Sequence, residues 1–238
     1  VFNYITGSPD GPPLKPSISI TNYLTGVFGA IAIMAAIYHR DHKGEGGQWI
    51  DLALYEPFIR FSHDNIPAYD KLEIIRERIG NHFSTTGGQL YFEAGDEEWV
   101  AILAAEDKDF QRLCRAMGCE DLAQDPRFDT LLSRIQNRGE LNKIIAAWVK
   151  RFNSKELVEI LVKNQVPTSL TYSIKDIFED PHYQAKGDIV EVEDPVLGKV
   201  KMQGIMPRFS LTPGRVKWAG PRLGEHNAEI LRALVGIS

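Results

Sequence analysis

From Ile18 to Tyr38 the chain carries no charged side chain, although Thr21, Asn22, Tyr23, Thr25, Gly26 and Gly29 dilute the first half of that run. The strictly apolar part, Ala30 to Ile37, is too short to cross a bilayer. The pattern therefore predicts a buried helix from about Asn22 to His39 in an α/β core rather than a membrane span. His39 and Arg40 close it with cations suited to the negative end of the helix dipole. Gly44-Glu-Gly-Gly47 then breaks the chain, and Gln48 to Leu54 reads as a mostly buried strand. A helical stretch without strong boundary signals is expected from Leu54 towards Asp64.

The pattern changes near residue 80. Gln89 to Glu93 and Trp99 to Leu103 read as the arms of a β-hairpin about the turn Ala94-Gly95-Asp96. Helices are expected over Asp107 to Met117, stopped by Gly118, over Leu131 to Phe152, and over Lys155 to Lys163 with Ser154 as N-cap. Ser173-Ile-Lys-Asp176 has the spacing of a capping box, and Asp180-Pro181 interrupts the short helix it opens. Ile189 to Val192 and Lys199 to Met202 predict a second hairpin across Asp194-Pro-Val-Leu-Gly198. A last helix is expected over Gly224 to Val235. The layout is that of a hairpin-plus-helices module inserted between segments of another unit.

Composition narrows the function classes. A chain of 238 residues with 43% hydrophobic and 25% charged residues has the balance of a globular protein, not of a disordered one. A net charge of -5 argues against a dedicated nucleic-acid binder, because little is left to attract a phosphate backbone. The two cysteines, Cys114 and Cys119, exclude a disulfide scaffold and fit reduced core thiols in a cytosolic protein. The opening Val1-Phe-Asn-Tyr4 shows neither an initiator Met nor a basic signal-peptide start, so the chain reads as beginning inside a longer sequence.

Candidate chemistry is sparse. His39 and His42 have a helical ligand spacing but no third ligand nearby, so no metal site is expected. His63 and Asp64 would face different ways on a helix, which argues against an acid–base pair. Thr85-Thr-Gly-Gly88 is of more interest. Adjacent glycines let a backbone approach a ligand and present N–H groups to an anion, and a structural turn is the alternative. These features alone reach no further than an α/β or α+β protein that binds a ligand.

An ordered set of phrases goes further. Gly7-Ser-Pro-Asp-Gly-Pro-Pro13, Asn22-Tyr-Leu-Thr-Gly26, Ala36-Ile-Tyr-His-Arg40 and Gly44-Glu-Gly-Gly-Gln-Trp-Ile-Asp51 resemble the class III coenzyme A transferase family. Val166-Pro167, Asp180-Pro181, Gly204-Ile-Met-Pro-Arg-Phe-Ser210 and Pro221-Arg-Leu-Gly-Glu-His-Asn227 continue that resemblance in the same order. It implies an α/β fold: the C-terminal part of a Rossmann-like large domain plus a small α+β domain, within an interlocked dimer. Residues 1–81 would be large-domain segment and linker, 82–187 the small domain, and 188–238 a β segment and helix returning to the large domain. The implied activity is transfer of CoA between an acyl-CoA and a free carboxylic acid, completed by an N-terminal half or a partner chain.

The resemblance also implies that CoA thioester is a substrate, with no permanently bound cofactor and no metal. It implies a homo-oligomer or second subunit, a cytoplasmic location, and neither nucleic acid nor membrane as partner. Asn22 matches the family's catalytic Asp, four residues before Gly26. An amide carries no negative charge and is a poor nucleophile or proton acceptor. Another chain supplies the working Asp, or the chain is a non-catalytic structural paralogue, or Asn22 was introduced. A racemase or isomerase branch is a further alternative. Gly87 and Gly88 match the family's glycine loop over the acyl-enzyme intermediate.

Overall fold

The computed structural model of the chain describes residues 2–81 and 90–236. A short helix, α1 (Phe2–Ile5), and a proline-rich loop lead into α2 (Ile20–Lys43). Gly44 ends α2 at φ 67°, a left-handed conformation that glycine adopts without a Cβ penalty, and its N–H donates to the Arg40 carbonyl.

No residue of α2 is buried; Ile31 and Met34 are 62% and 64% exposed. This corrects the expectation of a buried helix. Periodicity specifies a helix, whereas burial requires a facing surface, and α2 has one only on the side turned to the segment that follows. There Thr25 Oγ1 donates to the Leu54 carbonyl at 3.3 Å, and a Cβ on Gly29 would lie 3.7 Å from Leu52 Cδ2. The strand expected over Gln48 to Leu54 is likewise absent. Those residues pair with no strand among the described residues, and Trp49 stands 85% exposed. A strand exists only by its neighbours, so an apolar run alone does not make one.

The segment continues as α3 (Glu56–Arg60) and α4 (Asn65–Leu72). Residues 76–80 return to the start of the chain, where Arg78 donates to the Tyr4 carbonyl at 2.8 Å and Gly80 N–H to Gly7 O at 2.9 Å.

The core lies in the next stretch. Strands β1 (Tyr91–Glu93), β2 (Trp99–Ile102) and β3 (Thr168–Leu170) form an antiparallel sheet in that order, with Phe92 opposite Val100 and Val100 opposite Leu170. Four helices cover it: α5 (Asp107–Met117), α6 (Leu131–Gln136), α7 (Arg138–Val149) and α8 (Ser154–Lys163). Phe92, Val100, Phe110, Leu113, Phe128, Leu141, Leu157 and Leu161 make one buried cluster with their neighbours. The predicted Leu131 to Phe152 helix is two helices. Asn137, at φ −104° and ψ 18°, leaves the helical path, and its amide donates to the Arg127 and Ser133 carbonyls. The cap of α8 is Asn153 rather than Ser154, since Asn153 Oδ1 accepts the Glu156 N–H at 2.9 Å.

Contacts divide the chain into two compact units, Val1–Leu170 and Thr171–Ser238. The second begins with α9 (Ile174–Glu179), opened by the Ser173–Asp176 capping box, and α10 (Pro181–Lys186), capped by Asp180. Strands β4 (Ile189–Asp194) and β5 (Gly198–Gln203) pair from Ile189–Gln203 to Asp194–Gly198. Asp194 Oδ1 accepts the Val196 and Leu197 N–H groups and shapes the turn. The unit closes with α11 (Asn227–Ile230) and a π-helical turn over Leu231–Val235.

Candidate functional site

Asn22 stands in the first turn of α2, where its N–H donates to the Ser19 carbonyl at 3.0 Å. The side chain is exposed, and the first turn holds no acidic residue. The positive end of a helix dipole favours an anion at such a position. An aspartate there would be held ionised and accessible, whereas the carboxamide gives the dipole no charge to stabilise. Gly87 and Gly88 lie outside the described residues.

The structure brings together a group that sequence reasoning separated. His63 and Asp64 do not share a helix: they sit in the turn between α3 and α4, with His63 at φ 56°. That left-handed residue swings the imidazole back onto its neighbour, placing Nδ1 3.0 Å from Asp64 Oδ1. Arg76 donates to the other oxygen, Oδ2. The hydrogen bond with His63, and after it the Arg76 guanidinium, hold the Asp64 carboxyl below the usual carboxylate range, with burial opposing them. Arg60, Phe61 and Phe28 join this pair around a cavity of about 580 Å³. Nothing in the spacing of residues 60–64 announces it, because it depends on one positive φ.

Other candidates dissolve. His39 faces Glu45 at 3.4 Å, and the His42 ring lies beside Tyr38, so the two histidines do not converge. No group of three or more metal-ligating side chains occurs among the described residues. Cys114 is buried in the core, and that burial pushes its thiol up to about 12; Cys119 is raised by the same cause. Neither is an activated nucleophile.

Arg134 was not visible as special in the sequence. It is 1% exposed, donates to the Phe128 and Ala105 carbonyls at 3.0 Å and to Asp107 Oδ1 at 2.6 Å, and lies over the Phe110 ring. It fastens the start of α5 to α6 and carries no chemistry of its own.

Comparison with known proteins agrees with this architecture. The family model for CoA-transferase family III matches residues 1–227. The succinyl-CoA–D-citramalate CoA-transferase of Chloroflexus aurantiacus is 39% identical over 98% of this chain and 58% of its own length. The beta subunit of the succinyl-CoA–L-malate CoA-transferase of the same organism is 35% identical, with the same coverage. The chain thus spans 58% of the length of these relatives. Among solved structures, a CaiB/BaiF family protein from Brucella suis superposes with a TM-score of 0.77 at 28% identity, over 96% of this chain and 59% of that one. A Mycobacterium tuberculosis protein shares the fold at 22% identity and a TM-score of 0.79, over 95% and 59%.

Proposed function

This chain belongs to CoA-transferase family III, and on that premise we propose that it takes part in transferring coenzyme A between an acyl-CoA and a free carboxylic acid. The observation that carries the proposal is a family match running almost the whole chain, joined to relatives whose names are those of succinyl-CoA-dependent CoA-transferases. Coenzyme A thioester is the substrate, and no resident cofactor is invoked. The reaction begins when an aspartate carboxylate attacks the thioester carbonyl, giving an acyl-aspartyl anhydride and releasing CoA thiolate. The thiolate then attacks the aspartyl carbonyl, freeing the first acid and leaving an aspartyl-CoA thioester. The acceptor carboxylate attacks the aspartyl carbonyl, expelling CoA thiolate and forming a second mixed anhydride; the thiolate then attacks the acceptor's acyl carbonyl, giving the new acyl-CoA and freeing the aspartate carboxylate.

Asn22 occupies the proposed nucleophile position, and its amide supports none of these steps. Gly87 and Gly88 are proposed for the loop over the intermediate. We therefore place the working carboxylate on another, different chain, with this chain in a cytoplasmic, interlocked assembly. Its proposed division is 1–81, 82–187 and 188–238. Relatives named as beta and alpha subunits support a two-chain arrangement. The exposed side of α2 is assigned to protein rather than lipid. Although α2 is long and apolar enough to cross a membrane, its other side is pinned by polar contact to the Leu54 carbonyl. The second reading, a structural subunit without chemistry, is favoured by the amide at Asn22.

Two experiments test this. Exchange of label between an acyl-CoA and a free acid by the native complex establishes transfer; its absence, with an intact complex, leaves the structural reading. Hydroxylamine trapping followed by mass mapping should find no acyl or CoA adduct on Asn22, and an adduct there contradicts the assignment. In the assembled protein Asn22→Asp should permit one.

A further inference from the structure

We propose that Cys114 and Cys119 form a thiol–disulfide couple that staples the end of α5 when its surroundings turn oxidising. Helix α5 ends in a Schellman turn. Gly118, at φ 70°, donates its N–H to the Arg115 carbonyl at 3.0 Å, and the Cys119 N–H reaches back to the Cys114 carbonyl at 3.0 Å. That second bond joins the two cysteines themselves and folds the backbone until their Cα atoms stand one helical pitch apart, about 5.4 Å. A disulfide spans about 4.4–6.8 Å between Cα atoms. The same turn sets the side chains at these two positions towards each other, where it ordinarily makes an apolar contact.

The two thiols differ in access. Cys114 is buried in the core cluster with Phe110, Leu113 and Phe128, whereas Cys119 is half-buried in the turn. Cys119 therefore meets a small-molecule disulfide first: its sulfur attacks, one thiolate leaves, and a mixed disulfide remains. Cys114 Sγ then attacks Cys119 Sγ, expelling the second thiolate and closing the bridge. Each cysteine has given up one proton, and the incoming disulfide has been reduced to two thiols. Burial pushes the Cys114 thiol up to about 12; a charge on Cys119 adds to that rise, and the Arg134 guanidinium opposes it. Burial raises Cys119 as well. Both cysteines thus rest as thiols, and the exchange is a slow response to sustained oxidation rather than a catalytic step. The bridge acts on the connection behind it. Cys119 leads into a 3-10 turn, Glu120–Gln124, whose Leu122 N–H donates to the Cys119 carbonyl at 3.0 Å and whose Leu122 and Ala123 pack on the core. Fastening Cys119 to Cys114 holds that turn against α5.

The couple does not depend on the transferase reading. Glutathione disulfide added to the full chain, followed by alkylation and peptide mass mapping, tests it. The wild-type chain should lose two hydrogens, regained on reduction, with one intramolecular bridge between Cys114 and Cys119. Cys114→Ala should instead trap glutathione on Cys119, and Cys119→Ala should leave Cys114 unmodified. Because burial keeps both thiols protonated, the wild-type rate should climb about tenfold per pH unit and should not level off at the ordinary thiol pKa of about 8.5. In the bridged chain, hydrogen exchange at the Gly118 and Cys119 amides should slow about tenfold, since the closed loop suppresses fraying of the helix end. Glutathione held on wild-type Cys119 without a bridge, a bridge that forms only in denaturant, or exchange unchanged by bridging would overturn the proposal.

Discussion

Leu157 and Leu161 repeat at helical spacing on α8 and are fully buried, whereas Ile31 and Met34 repeat on α2 and stand in solvent. Both helices are written with large apolar side chains; the difference lies in what faces them. Helix α8 packs against strands β2 and β3 and helix α5, and every member of the core cluster falls between Phe92 and Val166. Helix α2 has one short returning segment. Apolar pattern thus reports what a helix is fit to bury, and the surrounding chain decides whether it does so.

The contrast breaks most clearly under truncation. Phe128→Ala or Leu161→Ala should cost about 2–5 kcal/mol in denaturant unfolding, the usual price of a core cavity. Met34→Ala should leave the unfolding of the hairpin-plus-helices module unchanged to within about 0.5 kcal/mol. Equal losses in the two helices would erase the distinction. Arg134→Met should cost about 3 kcal/mol by the same measurement, because it keeps apolar bulk but strips the Phe128 and Ala105 carbonyls of their donor.

A finer probe lies at the hairpin turn. A Cβ on Gly95 would fall 2.9 Å from the Lys150 and Phe152 carbonyl oxygens, so Gly95→Ala should destabilise the module by about 1–3 kcal/mol. A destabilisation no larger than that of an exposed-surface change would show the turn free to move off α7.

The smallest effect is the most specific. Asp96 accepts the Ser154 N–H at 3.1 and 3.0 Å and the Ser154 hydroxyl at 2.9 Å, tying the hairpin to the start of α8. The backbone N–H first, and then the hydroxyl, hold this carboxyl below its ordinary value. A depressed carboxyl contributes stability that is present above the unfolded pKa and is lost as pH falls through the folded one. The module should therefore weaken from about pH 4 downward. Asp96→Asn should cost about 1 kcal/mol near neutrality and flatten that acid dependence. An unchanged acid profile in the variant would remove Asp96 from the account.

Local chemistry was legible in the sequence, and long-range pairing was not. The Ser173–Asp176 capping box, the stop of α5 at Gly118 and the two hairpins each depend on residues a few positions apart. Strand β3 was missed because it is three residues long and owes its existence to β2, far back in the chain. The cap at Asn153 was misplaced by one residue because Ser154, an equally good capping type, turns its hydroxyl to Asp96 instead. For the candidate site, the proposed role of Asn22 rests on its phrase in the sequence, and the structure adds that it stands exposed in the first turn of α2. The His63–Asp64 pairing was not legible there, since a helical reading sends the two apart and only the observed φ reunites them.

The central claim is that the apolar side of α2 is a surface meant to be covered by protein. Leaving a few hundred Å² of it in water costs several kcal/mol at about 25 cal/mol per Å², a large share of a typical domain's stability. Sedimentation of the lone chain at micromolar concentration tests this directly. Oligomers or aggregates are predicted, resolved into a defined complex when the assembly partner is supplied. A well-folded monomer with a single cooperative melt would contradict it.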